Sequence, residues 1–136
     1  MDAERRADPD GLLPLTPVAL NILLSLADEE RHGYGIGVEV RERTGGKMRL
    51  GPGTLYGSLK RMVDGGLVEE SEGPVEEETD DGRGGYDAGR RRYYRLSGFG
   101  ERVLAAELER LDGVMRTAQA KGYFPSRRGA SSPGEA

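Results

Sequence analysis

From Gly51 to Val68 the chain reads GPGTLYGSLKRMVDGGLV, and its apolar positions return with the period of a helix. Leu55, Leu59 and Met62 stand at i, i+4 and i+7 with Val63 beside them, which lines one helical face for burial. Pro52 is predicted to open the helix, because the N–H that proline lacks would find no intrahelical partner there, and Gly51 stands at the cap. Gly66 supplies a left-handed stop. The opposite face carries Gly53, Thr54, Gly57, Lys60 and Arg61, at 100° per residue. Two glycines one turn apart on an exposed face cost about 1 kcal/mol each against alanine. Close approach of another surface, such as a DNA major groove, is one reason to keep them. The other reading is that the glycines are tolerated and the charges form a solvated face.

The remaining elements flank this one. Thr16 caps and Pro17 opens an earlier helix to about Ala27. Val18, Leu20, Ile22, Leu23, Leu24 and Leu26 make it apolar nearly all round, which implies burial on more than one side, with Ile22 and Leu26 offered to a partner subunit. After a charged turn, HGYGIGVEVRERTGG is predicted as a second helix ending at Gly45 and Gly46. Its glycines leave Ile36 and Val40 to be held by tertiary packing. Met48 to Leu50 reads as a short extended connector.

LVEESE and RRRYYRL are strand-like, and an acidic, glycine-containing stretch from about Gly73 to Gly89 joins them as a hairpin with a long tip, expected to be mobile. Tyr94 and Leu96 alternate with Tyr93 and Arg95, which predicts one inward face and one aromatic and cationic outer face. Ser97 caps a last helix to about Gly122, along which Leu104, Leu108, Leu111, Met115 and Ala118 recur at steps of 4, 3, 4 and 3. Such a helix packs most economically on a copy of itself; lying across its own domain is the alternative. The expected division is a loose arm over 1–13, a compact domain over 14–97, a dimerisation helix over 98–122 and a low-complexity tail over 123–136.

Composition removes several kinds of chemistry. Cysteine is absent and His32 is the only histidine, so no thiolate or histidine metal cluster, thiol nucleophile or choice of histidine triads is expected. GYGIG lacks the third glycine of a dinucleotide fingerprint, and Gly46-Lys47 lacks the phosphate-loop pattern around it. The acidic stretch has none of the ordered ligand spacing of an EF-hand and reads as a solvated charge run. No enzymatic activity and no cofactor are expected. No segment approaches 18 apolar residues and the N-terminus is polar, so the expectation is a cytoplasmic protein with neither a membrane span nor a secretory signal.

The net charge of −4 hides a segregation. Between Arg31 and Met62 seven basic residues face two acidic ones, a local +5. From Leu67 to Asp81 there are eight acidic residues and no basic one, and Arg90, Arg91, Arg92 and Arg95 follow.

Three helices, a two-stranded hairpin and a long helix, mainly α with a small β-hairpin, is the order of a winged helix-turn-helix with an added dimerisation helix. HGYGI (32–36), GPGTLYGSLKRMVDGGLV (51–68) and RRRYYRLSGFG (90–100) resemble the PadR family of bacterial transcriptional regulators, in the members with one C-terminal helix. The resemblance spans about residues 15–122. Gly57 stands where many members have proline, and Val63 where many have glutamate. It implies a homodimer, repression by operator binding to double-stranded DNA and, in some members, release by a small-molecule inducer.

On this reading Lys60, Arg61 and the helix start at Gly53 and Thr54 meet phosphates and base edges, with Gly57 permitting close approach. Tyr34 and Tyr56 flank that surface with hydroxyls, unless they pack on the neighbouring helix. Arg90, Arg91 and Arg92 meet an adjacent backbone or minor groove, unless Arg92 pairs with the acidic stretch. Leu104, Leu108, Leu111 and Met115, with Ile22 and Leu26, are the candidate dimer contacts. The rival is a winged-helix protein-interaction module whose acidic wing loop engages a basic partner. Salt dependence separates the two, since DNA binding has a log–log slope near −0.9 per neutralised phosphate.

Overall fold

The computed structural model describes residues 8–72 and 92–123. The acidic stretch beyond Glu72, together with Arg90, Arg91 and the C-terminal tail, lies outside the described residues, and so do the expectations made for them. The described elements run α1 (Pro17–Ser25), β1 (Arg31–His32), α2 (Gly33–Arg43), α3 (Pro52–Asp64), β2 (Val68–Ser71), β3 (Tyr93–Leu96) and α4 (Gly98–Ala120).

Local chemistry sets these boundaries. Thr16 and Ser97 cap α1 and α4 by accepting from the N–H groups of Ala19 and Gly100. α2, α3 and α4 each end on a left-handed glycine, Gly45, Gly66 and Gly122. In each case the glycine and the next residue return paired backbone bonds to the last turn; for α3 these are Gly66 to Val63 (3.0 Å) and Leu67 to Met62 (2.9 Å). α1 stops two residues short of the expected Ala27. There Leu26 and Ala27 bond three residues back, tightening the last turn, and the Ser25 hydroxyl donates to the Ile22 carbonyl.

The sheet has three antiparallel strands in the order β1-β3-β2, where the sequence pattern gave two. The added strand is two residues long, Arg31 opposite Tyr94 and His32 opposite Tyr93. A strand this short has no periodicity to read. It changes the fate of Tyr93, expected on an outer face: Tyr93 and Tyr94 are both buried, and the His32 ring meets Tyr93 edge-on at 5.3 Å. Arg95 faces out as expected, opposite Glu69.

One core joins the helices: Ile22, Leu23 and Leu26 of the first, Ile36 and Val40 of the second, Leu55, Leu59 and Met62 of the third, and Val103 and Leu104 of the last. Ile22 and Leu26 therefore need no second subunit, because the chain's own core covers them, and Leu104 is likewise filled from within. An apolar circumference reports burial without reporting by what.

The N-terminal segment also departs from the loose arm expected up to residue 13. Pro9–Leu12 form a 3-10 turn capped by Asp8, and this turn packs against α4. Leu13 and Leu15 follow it onto the core. Glu107 of α4 is buried to 1% exposure, where Arg110 grips its carboxylate at 2.8 and 3.0 Å. The Arg110 hydrogen bonds, with the Arg110 charge and the Leu15 N–H adding to them, hold the Glu107 carboxyl below the usual range despite burial.

A carboxyl with a depressed folded pKa stabilises the fold at neutral pH and loses that contribution as pH falls through the carboxylate range. Glu107→Gln is expected to lower unfolding free energy in urea by about 1 kcal/mol at pH 7. The gap to the parent should narrow on acidification. A gap that is constant with pH would mean that the ionised carboxylate is not what stabilises the docked N-terminal segment.

Candidate nucleic-acid interface

α3 is the element whose two faces differ most. Leu55, Ser58, Leu59 and Met62 are buried, whereas Gly53, Thr54, Lys60 and Arg61 are exposed and Gly57 is half-covered. Its start differs from every other helical segment among the described residues. Asp8, Thr16, His32 and Ser97 each cap a helix with a side-chain acceptor; Gly51 offers none. The first backbone bond into the helix is Leu55 to Gly51 at 2.9 Å. The N–H groups of Gly53 and Thr54 lie ahead of it on exposed residues, at the positive end of the helix dipole.

The glycines of this helix are not required by the chain itself. A Cβ on Gly53 would meet nothing within 4 Å, and one on Gly57 would meet only the end of Arg61 at 3.8 Å. Neither residue has a left-handed backbone. Gly33 in α2 is the opposite case, since a Cβ there would collide with the Tyr56 ring. Tyr56 thus packs on α2, as one of its two readings had it, while keeping 46% exposure. Tyr34 is 72% exposed and stacks loosely on His32, with ring centroids 6.4 Å apart. Between α2 and α3 both tyrosines line an open cleft of about 250 Å³, with Arg41, Arg49, Leu50 and Pro52 among its walls.

The cations divide by partner. Lys60 reaches Asp64 at 3.5 Å across a solvent-exposed turn, a contact worth a fraction of a kcal/mol at most. Arg61 touches the Ser58 hydroxyl at 3.3 Å and has no acidic partner among the described residues. Arg92, just ahead of β3, pairs with Glu70 of the neighbouring strand at 3.2 Å; whether the acidic stretch also reaches it lies outside the described residues. The structure thus gathers Tyr34, Gly53, Thr54 and Tyr56 around the start of α3, sets Gly57, Lys60 and Arg61 further along that helix, and leaves Arg92 on β3's approach. Arg41 and Arg49 belong to the same surface. The sequence counted both in the local +5 without singling them out.

Three helices followed by a small antiparallel sheet, with the third helix presenting an uncapped, glycine-bearing basic face, define a winged helix-turn-helix. Residues 22–106 match the Transcriptional regulator PadR-like family, and the chain belongs to that family. It is accordingly a DNA-binding transcriptional regulator and not an enzyme.

Among solved structures, RosR of H. salinarum is 27% identical, with 90% of this chain and 91% of that one covered and a TM-score of 0.55. A probable transcriptional regulator from Pseudomonas aeruginosa shares the fold at 23% identity and a TM-score of 0.59, over 98% of this chain and 87% of that one. An uncharacterised protein X of Lysinibacillus sphaericus is 29% identical over 84 residues, 62% of this chain and 68% of its own length. The chain aligns with only 23% of an uncharacterised 37.1 kDa protein in transposon TN4556 of Streptomyces fradiae, at 36% identity over 68% of this chain. No described helix is long and apolar enough to cross a membrane.

Because nothing in the fold needs Gly57 to lack a side chain, Gly57→Ala is expected to raise stability by roughly 0.5–1 kcal/mol through helix propensity alone. Denaturant unfolding measures this. A loss of stability would mean that an intramolecular contact, and not an external surface, demands the glycine.

Proposed function

We propose that this chain is a repressor that acts as a homodimer, with the exposed face of α3 in the major groove of each half of a near-palindromic operator. What carries the reading is the face of α3 itself. It holds two glycines that packing does not require, an uncapped start and unpaired positive charge, all directed away from the core. Each lowers the stability of an isolated domain, and each favours a closely approaching polyanion. The reading includes release by a small-molecule inducer, as the family resemblance implies for some members.

The dimer is supported by α4. This helix has 23 residues, about 35 Å of length, but its buried residues, Gly100, Val103, Leu104 and Glu107, all lie in the first ten. Beyond them Leu108, Val114 and Met115 are 42%, 55% and 41% exposed, with Leu111 half-buried between them. A second copy is the natural cover for such a stripe, since a two-fold axis lets one apolar surface bury itself.

Two substitutions test the two halves of the reading. Leu108→Glu is expected to convert a sedimenting dimer to monomer at micromolar concentration, because it would bury an unpaired charge at the seam. DNA selected by the purified protein should contain half-sites roughly 34–36 Å apart, or a multiple of that spacing. Gly57→Glu, which puts bulk and negative charge on the face proposed to touch DNA, should abolish binding to that operator while leaving folding and dimerisation intact. A Gly57→Glu dimer that binds as tightly as the parent would falsify the placement of α3 in the groove.

A further inference from the structure

Within the helix-turn-helix the cations separate into two groups. Arg31 holds Asp28 and Glu29 at 3.3 and 3.2 Å, and Arg43 holds Glu39 at 2.8 Å. Arg41, Lys47 and Arg49 have no carboxylate partner among the described residues. Arg41 and Arg43 are two positions apart on α2, hence about 200° around the helix. Arg43 is consumed structurally, its guanidinium bound to Glu39, to the Asn21 side chain (2.7 Å) and to the Asn21 carbonyl (3.1 Å). Arg41 points to the other side and forms a wall of the α2–α3 cleft.

Arg49 reaches the same cleft from the connector. The left-handed pair Gly45 and Gly46 turns the chain back after α2, and the Arg49 Nε donates to the Gly46 carbonyl at 3.3 Å. This contact uses one of its donors and leaves the rest of the fork free. The cleft therefore combines two guanidinium groups that lack acids with two tyrosines, Tyr34 and Tyr56, that flank the exposed face of α3. Two exposed guanidinium groups facing one cleft favour a planar or tetrahedral oxyanion that accepts from both. The oxyanion that comes with a groove-bound helix is the phosphate of the strand bordering that groove.

We propose that the α2–α3 cleft is a seat for a DNA backbone phosphate, held by Arg41 and Arg49, beside the groove that α3 enters. This rests on the assignment of α3 as the groove-reading helix. The seat fixes the position of the domain along the duplex and carries no base preference of its own, so sequence discrimination stays with α3. An arginine is required at each position for its fork as well as its charge.

The test measures binding of the full-length dimer to its operator and to a scrambled duplex over a range of salt concentrations. Arg41→Gln and Arg49→Gln are each expected to weaken both duplexes by the same factor, on the order of three to ten, and to lower the log–log salt slope by about 1 per subunit. Arg49→Lys should keep the slope and lose part of the affinity. Arg116→Gln, the same charge change at a residue already paired with Asp112 on α4, should leave both quantities unchanged. Thermal unfolding of each variant confirms the fold, since neither Arg41 nor Arg49 holds an ion pair among the described residues.

Three results overturn the proposal. The Arg41→Gln/Arg49→Gln double variant could retain parental affinity and slope. Either single variant could relax preference at one base position, making it a base reader. Inorganic phosphate could bind the free protein through these arginines while DNA binding stays unchanged, making the seat one for a free anion. Gly57→Glu separates this failure from that of the reading beneath it. If Gly57→Glu abolishes operator binding and the arginine variants do nothing, the phosphate seat alone fails; if none of them weakens binding, the placement of α3 fails too.

Discussion

The carbonyl of Leu67 is the point at which the two halves of this molecule are held in one orientation. It accepts the N–H of Ser97 at 3.0 Å, and it lies so close against Gly100 that a Cβ there would overlap it. The Ser97 hydroxyl donates to the Gly66 carbonyl and accepts from the Gly100 N–H at 2.9 Å. Gly66 and Leu67 are also the residues that close the C-terminal turn of α3. The end of α3 and the start of α4 are therefore tied directly to each other through Gly66, Leu67, Ser97 and Gly100. If α4 joins two copies, the distance between the two α3 helices is set through this joint, and an operator spacing is a mechanical consequence of it. Gly100 is needed here for the space a side chain would take, whereas Gly66 is needed for its backbone, with φ at 81°.

Much of this architecture could be read from residue order because its signals are local. A cap, a proline at the first turn, a left-handed glycine and an apolar period all act within a few residues, so Thr16-Pro17, Gly51-Pro52, Gly66 and Ser97 mark their helices without knowledge of the rest. β1 was not legible for the converse reason. Arg31 and His32 are a strand only because β3 lies beside them. That pairing also covers Tyr93, which alternation alone had assigned to the outside. The docking of Pro9–Leu12 on α4 is likewise a contact between segments nearly a hundred residues apart in sequence.

The candidate interface was legible in kind, and its membership needed geometry. The glycine pair and the basic residues of α3 stood out because they violate helix propensity on an exposed face. Whether such a violation has an internal cause is a question about neighbours. Gly33 and Gly57 look alike in sequence, but one makes room for Tyr56 and the other has only the end of the Arg61 side chain near it. Charge poses the same problem. Arg41 and Arg43 contribute equally to the local +5, and only their directions around α2 show that one is tied to Glu39 and Asn21 while the other has no carboxylate partner among the described residues.

Several departures from a stable design gather at α3 and the cleft beside it. Other helices of the domain are capped, and most of the other cations are paired. On α3 and in the cleft beside it the cap is missing, the glycines are unforced and Arg41, Arg49 and Arg61 are without acids among the described residues. Local rules fail together where a surface is shaped for something outside the chain. This also explains how a protein of net charge −4 can serve a polyanionic partner. Screening limits exposed charges to a reach of about 8 Å at physiological salt, so the total matters less than what faces the duplex. Glu69, Glu70 and Asp112 each hold a cation of their own. Their charge is balanced in place and does not reduce the field over α3.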